Sequence, residues 1–66
     1  MRNYIGNRCW QAHGFKSIFM GTVVAQKMQN LWLLVQVEWD NGETSWEKVV
    51  NVSFRPLHFD PKERGT

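Results

Sequence analysis

Cys9 and His13 are the residues whose types and spacing come closest to a catalytic pair, because a thiolate beside an imidazole can act as a nucleophile. On an extended strand, however, this separation spans about 13 Å at about 3.3 Å per residue, which is too far for a hydrogen bond. Zinc is not favoured either, since Cys9, His13 and His58 lack paired ligand spacing. The sequence therefore predicts no catalytic residue, no metal site and no cofactor, and Cys9 is interpreted as a small buried hydrophobic residue.

Acidic residues concentrate in one predicted hairpin, and they are Glu38, Asp40, Glu43 and Glu47. Carboxylates in such numbers can carry acid–base chemistry or hold a divalent cation. Pairing across a two-residue turn would place Glu38 opposite Ser45 and Gln36 opposite Glu47, so that the acids share an exposed face rather than a closed pocket. We interpret them as a solubilising edge.

Cations and large apolar side chains offer a binding chemistry instead. The candidates for nucleic-acid contact are the cations that precede any acid, namely Arg2, Arg8, Lys16 and Lys27. The candidates for contact with a partner are Trp10, Phe15, Trp32 and Leu34. Spaced cations can follow a phosphate backbone and exposed rings can stack on bases, but the same rings suit a protein interface or a homodimer seam. An aromatic cage for a methylated cation is a further use of the rings, drawn from Trp10, Phe15, Phe19, Trp39 and Trp46.

The segment 31–39 and the Asp-Asn-Gly sequence that follows it are the strongest structural signal. A β-forming run that ends in Asn41-Gly42 predicts a two-residue type I′ turn, which pairs Trp39 with Thr44 and Val37 with Trp46. Alternation then places Leu31, Leu33, Val35, Val37 and Trp39 on the core face. Trp46 joins that face, whereas Trp32 and Leu34 point outward.

Five short strands are expected, at residues 8–11, 18–26, 31–39, 44–50 and 53–55. In the second strand either Val23 and Ala25 or Thr22 and Val24 face inward. Short strands with tight turns favour an all-β fold, a small five-stranded SH3-like barrel, over a five-stranded OB-like barrel, which needs more chain. The domain is expected to cover residues 1–57, with a polar tail at residues 58–66.

Composition fits a binding module of one domain. A 66-residue chain buries only about 60% of its unfolded surface, so its aromatic residues are needed in the core. The single cysteine favours a reducing compartment, and no apolar run is long enough to cross a bilayer, so a cytoplasmic protein without a membrane partner is expected. The net charge is only +2, but it is unevenly distributed, with four cations before the first acid, Glu38.

A family pattern accompanies these signals. Its motifs are, in chain order, Gly6-Asn-Arg-Cys9, His13 with Phe15, Gly21-Thr-Val-Val24, Val35-Gln-Val-Glu-Trp39-Asp-Asn-Gly42 and Phe54-Arg-Pro-Leu57. They resemble small Tudor-like and KOW-like SH3 barrels, and their order is similar to that of the C-terminal Tudor-like domain of UvrD-type helicases. The resemblance implies a module that binds a protein, within a machine that handles nucleic acid, or binds nucleic acid directly. It implies no catalysis.

Overall fold

Four antiparallel strands form one sheet in the computed structural model, which describes residues 2–13 and 17–57. The strands are β1 (Arg8–His13), β2 (Ser17–Gln29), β3 (Trp32–Trp39) and β4 (Thr44–Lys48), and they lie side by side in chain order. A 3-10 helix, Val49–Asn51, follows β4. No helix within the described residues has the length and apolar character needed to cross a membrane. The predicted all-β class is confirmed.

The expected fifth strand and the closed barrel are wrong for the described part of the chain, where the sheet has four strands and stays open. Segment 53–55 contributes one isolated bridge: the N–H of Trp10 donates to the carbonyl of Ser53 at 2.8 Å, and the N–H of Ser53 donates back at 2.9 Å. Pro56 lacks an N–H, which limits further pairing along this segment. β4 is also shorter than predicted, since the chain enters the 3-10 helix at Val49.

The turn between β3 and β4 differs from the predicted type I′ turn. Gly42 has a φ of 96°, but Asn41 does not take a positive φ. The N–H of Gly42 donates to the carbonyl of Trp39 at 2.9 Å, and the N–H of Trp39 donates to the carbonyl of Glu43 at 2.7 Å. This pattern indicates a three-residue turn that ends in a glycine bulge. The extra residue moves the pairing by one position, so Gln36 rather than Val37 faces Trp46.

A two-residue turn with positive φ at both positions occurs between β2 and β3 instead. Its residues are Asn30, with φ 53°, and Leu31, with φ 69°, and they are flanked by the pair Gln29 and Trp32. The prediction that Leu31 belongs to the core is therefore wrong. Leu31 is 94% exposed, because β2 continues to Gln29 and leaves Leu31 in the turn.

The core lies on one side of the sheet, which we call the inner face. Its buried members are Cys9, Val23, Val35, Val37, Trp39 and Val52. The predicted inward positions Val35, Val37 and Trp39 are confirmed, and Leu33 is half-buried. In β2 the register shifts between Val23 and Ala25, so inward alternation does not run through the strand. Val23 is buried, and beyond the bulge Gln26 pairs with the buried Val35.

Two segments outside the strands cover the inner face, one before β1 and one after β4. The rings of Tyr4 and Phe54 lie 4.6 Å apart, and both pack against the core with Val49. Gln26 holds the N-terminal segment in place: its Oε1 accepts from the N–H of Tyr4 at 2.7 Å, and its Nε2 donates to the carbonyl of Arg2 at 2.9 Å. On the opposite, outer face of the sheet, Trp32 and Trp46 are partly exposed.

Candidate binding face

Side chains from three neighbouring strands come together on the outer face of the sheet. We call this surface the Lys–Trp face, and its members are Lys27 of β2, Trp32 and Leu34 of β3, and Trp46 and Lys48 of β4. Strand register explains the grouping, because Lys27, Leu34 and Lys48 occupy one row across the three strands. Paired residues of adjacent strands point to the same side of a sheet. The fold itself therefore assembles the face.

Each tryptophan of the face carries a lysine ammonium over its ring. The Nζ of Lys27 lies 4.3 Å from the ring centroid of Trp46, and the Nζ of Lys48 lies 4.3 Å from that of Trp32. The first contact crosses β3 to reach β4, and the second returns from β4 to β3. Such cation–π contacts contribute about 0.5 to 1 kcal/mol at exposed sites, so they hold the rings in place. Trp32 remains 45% exposed and Trp46 40% exposed, which leaves ring surface for a ligand.

The charge on the Lys–Trp face has one sign. The row of Lys27, Leu34 and Lys48 contains two cations, and the next row pairs the uncharged Gln36 with Trp46. Glu38 is the first acid beyond these rows and lies opposite Thr44. A face with two ammonium groups attracts anions and disfavours a cationic ligand.

The hairpin acids do not share one exposed face, contrary to the prediction. Glu47 pairs with the buried Val35, so it points to the inner face, where the hydroxyl of Ser45 donates to its Oε2 at 2.8 Å. Asp40 forms a bidentate ion pair with Arg8, with N–O distances of 2.8 and 2.9 Å. The glycine bulge is the reason for the first difference, because it reverses the faces of β4.

The Lys–Trp face has the composition of a binding surface. Flat rings offer stacking area, and ammonium groups neutralise negative charge.

In residues 2–13 and 17–57, no group of three or more His, Cys, Asp or Glu residues is placed to hold a metal ion. No family model, curated protein or solved structure matches the chain.

The structure brings together some of the residues predicted to contact a partner. Trp32, Leu34 and the predicted cation Lys27 share the Lys–Trp face. Trp10 does not join them, because it lies on β1 opposite Met20, and its indole N–H donates to the carbonyl of Arg55 at 2.9 Å. Phe15, Lys16 and His58 lie outside the described residues.

The other predicted cations have protein partners of their own. Arg8 is only 12% exposed; besides its ion pair with Asp40, its Nη1 donates to the hydroxyl of Thr22 at 2.9 Å. The guanidinium of Arg2 lies 5.4 Å from the ring centroid of Tyr4, on the segment that covers the inner face. Among the described cations predicted to contact nucleic acid, Lys27 is the one on the Lys–Trp face.

The tryptophans proposed for an aromatic cage are separated by the sheet. Trp39 is buried on the inner face, and its indole N–H donates to the hydroxyl of Ser45 at 2.9 Å. Trp46 is on the outer face, opposite Gln36. These two rings therefore cannot form walls of one cage.

Trp46 and Lys48 are members of the face that the sequence reasoning missed. The signal was present in Asp40-Asn41-Gly42, because a glycine in the third position also fits a three-residue turn with a bulge. A three-residue turn pairs Gln36 with Trp46 and Leu34 with Lys48, so both Trp46 and Lys48 point outward.

Cys9 is buried in the core and is not activated as a nucleophile. It is 3% exposed, and burial raises the pKa of its thiol from 9.0 to about 11, partly offset by the neighbouring Arg8 guanidinium. His13 occupies the far end of the same extended strand. A thiol with this pKa stays protonated at neutral pH.

The raised pKa of Cys9 predicts a loss of stability in alkali. The unfolded chain releases the thiol proton near pH 9, whereas the folded chain retains it to about pH 11. The stability that depends on the protonated thiol is complete below pH 9, and about 2 to 3 kcal/mol is lost as the pH rises to 11. Urea unfolding between pH 8 and pH 11 should show this loss in the native chain and a smaller one in Cys9→Ala. Parallel pH curves for the two proteins would contradict the assignment.

Proposed function

We propose that this chain is a non-enzymatic interaction module that binds single-stranded nucleic acid on the Lys–Trp face. The observation that carries the proposal is the pair of exposed rings, Trp32 and Trp46, each with a lysine ammonium 4.3 Å from its centroid. Aromatic rings stack on unpaired bases of any sequence, and lysines neutralise the phosphates between them. The buried, protonated thiol of Cys9 supports a role without catalysis.

The spacing of the two rings favours separate bases. Trp32 and Gln36 are about 13 Å apart along β3 at about 3.3 Å per residue, and Trp46 lies directly beside Gln36. The strand positions that carry the two rings are thus farther apart than one base is wide, so we expect each ring to stack on its own nucleotide. The half-buried Leu34 lies between them in sequence register and provides an apolar floor.

A single strand fits this face better than a duplex does. The bases of a duplex are stacked on one another, so their faces are not open to a tryptophan ring. The sheet presents flat rings rather than a helix or ribbon that would enter a groove. The expected ligand is therefore an unpaired stretch of DNA or RNA, bound with little sequence preference.

The experiment is a salt-dependent titration of labelled oligo-dT and oligo-U, read by fluorescence anisotropy. We expect micromolar binding that weakens between about 50 and 200 mM salt, with a slope of about −0.7 for each phosphate contact. Lys27→Gln and Lys48→Gln should each make the slope shallower by about 0.7. Arg55→Gln serves as the control, since Arg55 is exposed away from the face, beside Trp10. No binding at low salt to either oligonucleotide would refute the proposal.

A protein partner is the second candidate, and the apolar part of the face favours it. Trp32, Leu34 and Trp46 form the type of cluster that anchors protein interfaces, and a partner from a nucleic-acid-handling machine would offer acidic groups to the lysines. A protein ligand predicts no oligonucleotide binding. It also predicts association with a purified acidic partner that is lost in Trp32→Ala and Trp46→Ala and that weakens less steeply with salt than binding of a phosphate backbone would.

We also propose an SH3-like, Tudor-like relationship for the fold, in which the last strand is reduced to one bridge. Four features support this relationship: the order of the strands, the bulge in β2, the 3-10 helix after β4, and the bridge from Trp10 to Ser53. A cytoplasmic location belongs to the same proposal, because the single thiol of Cys9 suits a reducing compartment.

A further inference from the structure

The turn between β2 and β3 presents a leucine in a conformation that suits glycine. Leu31 has a φ of 69°, where the Cβ of an L-residue crowds the backbone, and its side chain is 94% exposed. Two partly exposed side chains flank Leu31 on opposite sides of the sheet: Met28, 49% exposed, pairs with Leu33 toward the inner face, and Trp32, 45% exposed, lies on the outer face. We call Met28, Leu31 and Trp32 the apolar tip. An unfavourable backbone conformation combined with an uncovered leucine indicates a role outside the fold of the single molecule.

An open apolar cleft lies at the other end of the sheet. It has a volume of about 350 Å³ and is lined by Ile18, Phe19, Met20, Trp39, Asp40 and Asn41. β3 begins with Trp32 of the apolar tip and ends with Trp39 in the cleft wall, a distance of about 23 Å at about 3.3 Å per residue. Tip and cleft therefore cannot meet within one molecule.

The two ends also differ in charge. Lys27 and Lys48 lie near the tip, in the one row that contains Leu34, two residues along β3 from Trp32. Near the cleft the exposed carboxylates of Glu38 and Glu43 flank the turn that follows Trp39. Opposite charges at opposite ends favour the approach of one molecule's tip to another molecule's cleft.

We propose that copies of this chain associate head to tail, with the apolar tip of one molecule in the cleft of the next. The cleft is large enough to admit the Leu31 side chain and part of a flanking residue. This contact would remove the exposed Leu31 side chain from water, which favours association. Such an interface joins two different surfaces, so it repeats along a chain of molecules or closes into a ring.

Sedimentation velocity from about 10 µM to about 1 mM tests the proposal. The average mass of the native protein should rise with concentration to at least twice the 7.8 kDa of one chain. Leu31→Gly should remain monomeric and melt at a higher temperature, because glycine accepts the positive φ. This variant keeps every member of the Lys–Trp face, so its oligonucleotide affinity should equal that of the native protein at concentrations too low for the native chain to associate. Loss of association without loss of that affinity separates this inference from the proposed function.

A mixing experiment decides whether the contact joins tip to cleft. Ile18→Arg places a cation in the cleft and should also be monomeric, since it repels the basic tip. Mixed in equal amounts, Leu31→Gly supplies an intact cleft and Ile18→Arg an intact tip, so the mixture should form a one-to-one dimer that grows no further. Both variants are first checked for native unfolding transitions.

Three results would overturn the inference. The first is a native protein that stays monomeric at the highest concentration, and the second is self-association of Leu31→Gly equal to that of the native chain. The third is a mixture that stays monomeric although both variants are folded and the native protein associates. Binding to phosphatidylglycerol vesicles by a monomeric native protein, lost in Leu31→Gly, would assign the tip to a lipid surface instead.

Discussion

Gly21→Ala is expected to destabilise the protein by about 2 to 3 kcal/mol, because the added methyl group has no space. A Cβ at this position would lie 2.5 Å from Cγ1 of Val37 and 2.9 Å from the carbonyl oxygen of Glu38. Val37 is fully buried, so its side chain cannot move into solvent. Gly21 also pairs with Cys9 on one side and Trp39 on the other, which fixes its backbone in the middle of the sheet.

Urea unfolding of four proteins measures this effect and its cause. The set is the native chain, Gly21→Ala, Val37→Ala and the double variant. Removing the methyl groups of Val37 relieves the shorter contact but not the one with the Glu38 carbonyl, so the alanine at position 21 should cost less in the Val37→Ala background. A cost below about 0.5 kcal/mol for Gly21→Ala in the native background, the range of ordinary surface changes, would show that the sheet adjusts freely here.

Alternation along β3 was enough to predict half of the buried core. Val35, Val37 and Trp39 face inward because the strand has a strict period of two and one side of the sheet is covered. The same rule could not set the pairing of β4, since register depends on the number of residues in the turn. The turn contains three residues, Asp40, Asn41 and Gly42, instead of the predicted two. Trp46 therefore lies on the outer face and not in the predicted core.

Turn chemistry also explains why Leu31 was misplaced. Its type is typical of a strand interior, and the sequence at 30–31 lacks the glycine that marks a type I′ turn. The register of the β2–β3 hairpin, whose pairs run from Gly21 with Trp39 to Gln29 with Trp32, decides where β2 ends, and the pairs far from the turn leave no signal in the sequence around Leu31. Tertiary pairing thus overrode the residue's own preference.

The candidate site was partly predictable for the same reasons. Trp32 and Leu34 followed from alternation within one strand, and both lie on the outer face. Arg8 carries charge suited to phosphate, but Asp40, far along the chain, occupies its guanidinium. Such a long-range ion pair leaves no local pattern in the sequence. The sequence therefore could not distinguish cations on the binding face from cations that are held in ion pairs.

Removing both rings of the Lys–Trp face is expected to abolish most oligonucleotide binding. Stacking of a base on an aromatic ring contributes about 1 to 3 kcal/mol by alanine substitution, so Trp32→Ala and Trp46→Ala should each weaken binding by about 5-fold to 150-fold. The two rings stack on separate nucleotides, so their effects should combine almost additively in the double variant. Anisotropy of a labelled oligo-dT measures the affinity without relying on the protein's own tryptophans.

The controls separate stacking from charge and from folding. Trp46→Phe keeps a ring and should lose less affinity than Trp46→Ala, whereas the two should have similar salt slopes because both keep Lys27 and Lys48. Each alanine variant removes a partly exposed ring and should retain a cooperative unfolding transition. If the double alanine variant binds as tightly as the native chain, bases do not stack on this face. If Phe and Ala at position 46 lose affinity equally, Trp46 acts through its indole N–H or its full size and not through stacking alone.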